Sequence, residues 1–191
     1  NWAVSGAKSK TGYPMLANDP HLSLKLPSIF YIAELKAPGF HTMGASLPGS
    51  PGIISGFNET FSWGVTNGYP DVTDWFKVTF KDKERKQYWY RGQWKYVRKK
   101  VEVYKVRNGA SLVDTVYWTD LGPVVYRKGE KVKEEFVPNG YALRWVGHDP
   151  GNELKAFIRL NTTTSVSQVP EALQTYQCPA QNFVAADNQG H

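Results

Sequence analysis

Residues 48–74, PGSPGIISGFNETFSWGVTNGYPDVTD, limit the folds open to this chain more than any other stretch. Two Pro-Gly pairs open it, and an Asn-Gly pair lies near its end. Proline fixes φ and glycine permits positive φ, so the apolar runs between these pairs are typical of short strands held by tight turns. We predict strands over residues 52–54 and 61–66, with a turn at residues 56–59 between them.

The rest of the sequence favours strands over helices, because apolar and polar residues alternate with a period of two in several places. Further strands are predicted over residues 2–6, 15–17, 29–35, 40–45, 74–80, 110–118, 123–126 and 181–186. One helix is predicted to begin after Thr164 or Ser165 and to end before Pro179. Its apolar face would comprise Val166, Val169, Leu173 and Tyr176. Residues 153–161 are ambiguous. The sequence therefore indicates mostly antiparallel β structure with little helix.

The positive charge of the chain is concentrated in residues 77–107. This block holds twelve Lys or Arg against three acids, a local charge of +9 within a chain of net charge +6. Tyr and Trp residues lie between the cations, as they would in a surface that binds single-stranded nucleic acid. The alternative is a β-hairpin with one apolar and one solvated face, since YWYRGQW has the pattern of strand, tight turn and strand. We favour the hairpin and expect no nucleic-acid partner. No apolar run is long enough to predict a membrane span.

The segment GFNETFSWGVTN resembles the G-x-N-x-x-x-[SA]-W-G-x-T segment of the penicillin acylase family of N-terminal-nucleophile (Ntn) hydrolases. Other matches follow in the family's order over the whole chain: residues 1–6 (NWAVSG), 16–22 (LANDPHL), 119–124, 142–149 and 181–187. The resemblance implies an α+β fold, the Ntn-hydrolase αββα sandwich, of which residues 1–191 would form a single fragment. This fragment would be the N-terminal part of the catalytic β chain, and its partners would be the α chain and the remainder of the β chain.

The resemblance also implies hydrolysis of the amide of an N-acyl compound, either a β-lactam antibiotic side chain or an N-acyl-homoserine lactone. The family's nucleophile is an N-terminal serine uncovered by autoproteolysis, whose α-amine titrates near pH 8 and acts as its base. That serine would stand two residues before Asn1, so we expect this polypeptide alone to form no acyl-enzyme. The alternative is a non-catalytic, β-rich structural or polyanion-binding fragment.

Three residues match family positions around the nucleophile. Asn67 matches a position whose backbone N–H binds the oxyanion, and Asn182 matches one whose side-chain amide supplies a second donor. His21 matches a position beside the nucleophile that orients the serine. Without the resemblance, Asn67 would be predicted as a type I′ turn residue, Asn182 as a polar residue beside a strand, and His21 as a surface group.

Two further sets of residues follow from the resemblance. The acyl pocket would be lined by Leu22, Ile29, Ile54, Ser55 and Val65, a mainly aliphatic set that suggests a linear or branched acyl group over phenylacetyl. A calcium loop would use Asp71, Thr73 and Asp74, because Ca²⁺ takes six to eight hard oxygen ligands and the remainder could come from elsewhere. A solvated acidic turn is the alternative. We expect no organic cofactor, and a periplasmic or secreted location.

Overall fold

The computed structural model describes residues 1–125 and 140–191, so the end of the strand predicted over 123–126 lies outside the described residues. The chain divides into two compact units. Unit 1 comprises Asn1–Pro70 and Pro150–His191, and unit 2 comprises Asp71–Asp149. Among the described residues of both units antiparallel strands predominate and helices are few, which is consistent with an α+β fold. None of the helices in the described ranges is long and apolar enough to cross a membrane.

Unit 1 is built on one five-stranded antiparallel sheet and one short hairpin. Its strands are β1 (Trp2–Val4), β2 (Met15–Ala17), β3 (Tyr31–Ala37), β4 (Phe40–Ser46), β5 (Ser55–Asn58), β6 (Phe61–Asn67) and β14 (Gln181–Asp187). The sheet order is β14-β6-β5-β4-β3, while β1 and β2 form the hairpin. The central strand β6 carries Phe61, Trp63 and Val65 on one face, all buried, because side chains two residues apart in a strand point to the same side.

Helix α1 (Glu153–Thr162) packs against this sheet and resolves the ambiguity of residues 153–161. Asn152 caps it by accepting a hydrogen bond from the Lys155 N–H at 3.2 Å. Phe157 and Leu160, three residues apart and hence on one helix face, enter the core beside the buried residues of β6. The core of unit 1 therefore lies between α1 and the sheet.

The helix predicted after Ser165 is a series of short turns instead of one regular helix. It consists of the 3₁₀ helix Val166–Gln168, helix α2 (Val169–Ala172) and the 3₁₀ helix Leu173–Thr175. Ser165 caps the first turn by accepting from the Ser167 N–H at 3.4 Å. Val166, Val169, Leu173 and Tyr176 all pack against the core cluster, as the predicted apolar face required.

The predictions within residues 48–74 were partly wrong. Strand β6 coincides with the predicted strand, but residues 52–54 form no strand and residues 56–58 belong to β5 instead of a turn. The turn that joins β5 to β6 is stabilised by Asn58, whose Oδ1 accepts from the N–H groups of Thr60 and Phe61. The type I′ turn at Asn67-Gly68 is also absent: neither residue has the positive φ that this turn requires.

Within its described residues, 71–125 and 140–149, unit 2 contains a second five-stranded sheet and a separate hairpin. Its strands are β7 (Thr73–Lys77), β8 (Gln87–Tyr90), β9 (Gln93–Tyr96), β10 (Arg98–Tyr104), β11 (Leu112–Thr119), β12 (Gly122–Val124) and β13 (Tyr141–Trp145). The sheet order is β10-β11-β12-β13-β7. Strands β8 and β9 lie where the sequence predicts strand, tight turn and strand. Arg91 and Gly92 join them with φ values of 48° and 82°, as in a type I′ turn.

Candidate active site

A cavity of about 240 Å³ opens in unit 1 beside the end of β6. Three regions of sequence predicted to contribute to a site meet there: the loop after β2, the segment before β5, and the end of β6. Its walls comprise Pro20, His21, Leu22, Phe30, Leu47, Ile54, Val65, Thr66, Asn67, Phe157, Tyr176, Pro179 and Gln181. Most of these side chains are apolar, and the few polar groups come from His21, Asn67 and their neighbours. An apolar cavity with a few polar groups at one side is the usual form of a small-molecule site.

The pairing of β6 with β14 determines where the Asn67 backbone points. Asn67 lies opposite Gln181, and the next residue, Gly68, donates its N–H to the Ala180 carbonyl at 3.1 Å. Successive N–H groups of an antiparallel strand point to opposite sides, so the Asn67 N–H points away from β14. In the described part of the chain, no β5 residue lies opposite Asn67, because β5 pairs with β6 only at Trp63 and Ser62. The Asn67 N–H therefore points to the side of β6 on which β5 lies, at a position beyond the paired part of β5.

The Asn182 side chain lies next to Asn67. Its Nδ2 donates to the Asn67 carbonyl oxygen at 3.2 Å, and Gln181 Nε2 donates to the Asn67 side-chain oxygen at 3.0 Å. An asparagine amide has two N–H donors, so Asn182 retains a second one beyond its bond to Asn67. Both asparagines are exposed. The structure thus brings together the two residues that the resemblance pairs as oxyanion donors.

His21 lines the same cavity from the loop after β2. Its Nε2 lies 3.3 Å from Asp19 Oδ2, and both side chains are almost fully exposed. An exposed pair of this kind contributes little to stability.

The predicted acyl-pocket residues divide into two groups. Leu22, Ile54 and Val65 line the cavity, whereas Ile29 and Ser55 do not. The neighbour of Ile29, Phe30, occupies the wall instead. The Ser55 hydroxyl is engaged by the protein itself: it accepts from Asn18 Nδ2 at 2.7 Å and donates to the Trp63 carbonyl at 3.4 Å.

Sequence reasoning missed the three aromatic residues of the wall, Phe30, Phe157 and Tyr176. The rings of Phe157 and Tyr176 meet edge to face at a centroid distance of 5.6 Å, and Tyr176 makes a similar contact with Phe183 at 5.2 Å. Burial raises the pKa of Tyr176 to about 12, and its hydroxyl donates to the Pro179 carbonyl at 2.7 Å. The apolar face predicted for residues 166–176 already placed Tyr176 in the interior. No pattern placed Phe157, because its helix was ambiguous from sequence.

The residues predicted to bind calcium lie in unit 2. Asp71 precedes β7, while Thr73 and Asp74 are its first two residues, and all three are exposed. Arg144 lies directly opposite Asp74 in the β7–β13 ladder, but its guanidinium binds both oxygens of Asp149, at 3.1 and 2.6 Å. The Asp74 carboxylate has no ion pair among the described residues. Two carboxylates and a backbone carbonyl are chemically suited to Ca²⁺ but supply fewer than the six ligands it needs. The described residues hold no cluster of three or more His, Cys, Asp or Glu suited to a metal ion.

The sequence model of one protein family, described as penicillin amidase, matches residues 1–191 of this chain. The chain belongs to the penicillin amidase family. This confirms the resemblance found in the sequence. The cavity and the pair of asparagines described above therefore lie in a chain of known family.

Relatives within the family act on different substrates according to their names. The chain is 26% identical over 194 residues to an acyl-homoserine lactone acylase, QuiP, of Pseudomonas aeruginosa. The alignment covers 98% of this chain and 23% of that protein. It is 26% identical over 124 residues to penicillin G acylase of Escherichia coli, covering 65% of itself and 15% of the relative. The chain thus spans about a quarter or less of the length of these curated relatives.

A solved structure shares the fold. The thermostable penicillin G acylase from Alcaligenes faecalis superimposes with a TM-score of 0.81 at 22% sequence identity. The match covers 99% of this chain and 33% of that one. The likeness concerns the fold alone.

Proposed function

We propose that this chain forms part of an acylase that hydrolyses the amide of an N-acyl compound. The observation that carries the proposal is the apolar cavity of unit 1, with Asn67 in its wall and the Asn182 side-chain amide bonded to the Asn67 carbonyl. An amide substrate with an apolar acyl group presents an apolar tail joined to a carbonyl. The cavity would hold the tail, and the two asparagines would face the carbonyl oxygen.

The two asparagines would act as an oxyanion hole. When a nucleophile attacks the carbonyl carbon of the amide, the carbonyl oxygen gains a negative charge. The Asn67 N–H and the second N–H of the Asn182 amide would bind this oxygen. Each donor aimed at such a charge contributes about 3 kcal/mol to the stability of the transition state. The amine then leaves, and water releases the acyl group from the nucleophile as an acid. His21, on the cavity wall, would orient the nucleophile.

The nucleophile is proposed to be a serine hydroxyl upstream of Asn1, uncovered by autoproteolysis. Strands β1 and β2 are antiparallel, with Trp2 opposite Ala17. If this register continues, Asn1 lies opposite Asn18, and a residue two positions upstream lies opposite Pro20. Pro20 and His21 both line the cavity. The direction of β1 would therefore bring an upstream serine to the edge of the cavity, beside the proposed oxyanion donors.

We propose that the acyl group is a linear aliphatic chain, as in an N-acyl-homoserine lactone, and not phenylacetyl. Leu22, Leu47, Ile54 and Val65 form an aliphatic surface, although Phe30, Phe157 and Tyr176 add aromatic rings. The volume of about 240 Å³ lies below the range of about 300–1,000 Å³ typical of sites for whole drug-sized ligands. It suits the acyl part of a substrate alone. A β-lactam substrate with a similar acyl chain remains within the proposal.

The remaining features of the family are proposed for the whole protein. Unit 1, with α1 against one antiparallel sheet, would contribute to the αββα sandwich of Ntn hydrolases. The α chain and the remainder of the β chain would be the partners. Asp71, Asp74 and the Thr73 carbonyl would hold part of a calcium site in unit 2, with other ligands supplied from elsewhere. A periplasmic or secreted location is proposed on family grounds.

Hydrolysis of N-decanoyl-homoserine lactone by the full-length protein containing this sequence would test the proposal. Asn182→Ala removes one proposed oxyanion donor and should lower kcat by about 10²–10³-fold. Gln189→Ala is the control, since Gln189 is an exposed amide residue beyond the far end of β14 and is not part of the cavity wall. It should retain most of the activity. A similar kcat for Asn182→Ala and wild type would contradict the proposed oxyanion hole. A clear preference for a phenylacetyl substrate would contradict the proposed acyl group.

A further inference from the structure

Residues 52–54 are buried without belonging to a strand, and side chains satisfy most of their backbone groups. Ile53 is fully buried and Ile54 nearly so. The Gly52 carbonyl accepts from Ser46 Oγ at 2.7 Å, and the Ile54 carbonyl accepts from Trp63 Nε1 at 2.9 Å. A buried backbone outside helices and sheets requires such partners, because each unpaired group is costly. The Ile54 N–H donates to the Ala45 carbonyl at 2.9 Å, so side chains of other elements and one backbone bond together determine the conformation of this segment.

Asn161 makes the most extensive of these contacts. From the last turn of α1, its Oδ1 accepts from the Ile53 N–H at 2.8 Å, and its Nδ2 donates to the Ile53 carbonyl at 2.7 Å. The same Nδ2 donates to the Phe157 carbonyl at 2.7 Å. Asn161 is only 2% exposed, so its amide has no water as a substitute partner. One side chain thus holds both polar groups of the Ile53 residue.

Gly52 allows this close approach. Its φ is +81°, in the region that favours glycine, and a Cβ there would lie 3.0 Å from Asn161 Oδ1. A larger residue would strain the backbone and press on the amide. The absence of a side chain at Gly52 thus makes room for the Asn161 amide beside the Ile53 backbone.

This contact links two walls of the cavity. Ile54, next to Ile53, and Phe157, whose carbonyl Asn161 also binds, both line the cavity. Their separation depends on the position of residues 52–54 relative to α1. The two hydrogen bonds between Asn161 and the backbone of Ile53 join residues 52–54 to α1.

We propose that Asn161 is a positioning residue that holds Ile54 in place relative to Phe157 and thereby sets the acyl-chain length that the cavity accepts. The inference rests on the proposed function of the cavity as an acyl site. Asn161 touches no substrate in this scheme and acts through Ile54.

Isothermal titration of the full-length protein containing this sequence with saturated fatty acids of about six to fourteen carbons would test the inference. These acids represent the acyl half of the product and need no nucleophile. Wild type should show a sharp optimum in chain length. Asn161→Ala should weaken binding at that length about tenfold and move the optimum by about two carbons toward longer chains.

Asn152→Ala is the matched control, because Asn152 caps the same helix and bonds Lys155 instead of residues 52–54. It should leave the optimum unchanged. Gly52→Ala, whose Cβ would lie 3.0 Å from Asn161 Oδ1 and press on the same contact, should also shift the optimum, by less. It keeps the inference testable if Asn161→Ala fails to fold.

The possible results separate the two proposals. An unchanged optimum in Asn161→Ala or, if that variant fails to fold, in Gly52→Ala would overturn the positioning role while leaving the acyl site standing. Tighter binding of phenylacetate than of any fatty acid, or no binding of either, would overturn the proposed linear-acyl site and this inference with it.

Discussion

The two compact units are stabilised in different ways. Unit 1 contains the main hydrophobic core, where Phe61 and Trp63 stack at 5.8 Å and α1 supplies Phe157 and Leu160. In unit 2 the largest fully buried side chain is Tyr88, and the outer ends of β10 and β11 expose Val101, Val103, Leu112 and Val113. Substitutions in unit 1 should therefore report mainly on packing and on buried hydrogen bonds, and those in unit 2 on local contacts.

The cations of unit 2 illustrate the difference. Lys95 and Arg91 lie over the Tyr90 ring at 4.9 and 5.2 Å, and Lys81 lies 5.9 Å from the Trp94 ring. Trp94 also meets Trp89 edge to face at 5.1 Å. These rings already have partners within the hairpin. The arrangement gives a base-stacking or polyanion-binding role no particular support.

The largest expected effect is a core truncation in unit 1. Leu160→Ala should reduce the free energy of unfolding by about 3 kcal/mol, because Leu160 is fully buried and its loss leaves a cavity. Val101→Ala in unit 2, where the side chain is 60% exposed, should change it by less than about 0.5 kcal/mol. Urea denaturation of both variants measures the contrast. Equal losses would contradict the stated difference between the units.

A smaller effect is expected from the buried carboxylate of unit 1, Asp187. Burial alone would raise its pKa, but hydrogen bonds from Val166, His191 and Gln189 outweigh this and hold the pKa at about 2. Asp187→Asn should cost about 2 kcal/mol near neutral pH, since these are bonds to a charged group.

The pH dependence of the Asp187 effect has a definite sign. The pKa is lower in the folded state than the ordinary value of 3.8, so the stabilisation is complete above pH 4 and is lost as the pH falls towards 2. Urea titrations from pH 6 to 2 should therefore show wild type and Asp187→Asn converging in acid. A constant difference at all pH values would show that the charge of Asp187 is not the cause.

In unit 2, Tyr88→Phe is expected to have an intermediate effect. The Tyr88 hydroxyl accepts from the Asp120 N–H at 2.8 Å, and burial raises the Tyr88 pKa. Loss of this one bond should reduce the free energy of unfolding by about 1 kcal/mol. Tyr104→Phe, at a half-exposed ring, is the control and should be neutral within about 0.5 kcal/mol. Equal effects of the two variants would show that the hydrogen bond between Tyr88 and Asp120 does not stabilise unit 2.

The smallest effect is expected at His41 in unit 1, which bridges Glu34 at 2.7 Å and Glu59 at 3.2 Å. These two bonds raise the pKa of His41, against the opposing effects of desolvation and Lys36. A raised folded-state pKa gives stabilisation that is present below about pH 6.5 and is lost as the pH rises through the folded-state value. His41→Gln should therefore lower Tm slightly at pH 5.5 and not at pH 9. A deficit that grows with pH would have the wrong sign.

The parts of the fold that sequence predicts well are those determined by neighbouring residues. The β8–β9 hairpin follows from Arg91-Gly92 and its flanking aromatic residues, and β6 from its run of apolar residues. The non-strand path of residues 52–54 could not be predicted in this way. Its partner Asn161 lies 108 residues from Ile53 in sequence. Likewise, the helical state of residues 153–162 depends on the Asn152 cap and on packing of Phe157 against the sheet.

The candidate site shows the same division. Of the eight acyl-pocket and oxyanion-site residues that the resemblance gave, five line the cavity and three do not: Leu22, Ile54, Val65, Asn67 and His21 line it, whereas Ile29, Ser55 and Asn182 do not. Asn182 is bonded to Asn67. Phe157 and Tyr176 reach the cavity only because α1 and the following turns fold over the sheet. Tertiary contacts of this kind leave no local sequence pattern.

The most direct test of the acyl-site assignment is methyl chemical-shift mapping, with decanoate, of the full-length protein containing this sequence. Methyl groups of Leu22, Leu47, Ile54 and Val65 line the cavity, whereas those of Val101 and Val103 in unit 2 are exposed and serve as internal controls. If the cavity binds the acyl chain, decanoate should shift the first set and leave the second unchanged. Shifts confined to the unit 2 valines, or none at saturating decanoate, would contradict the account.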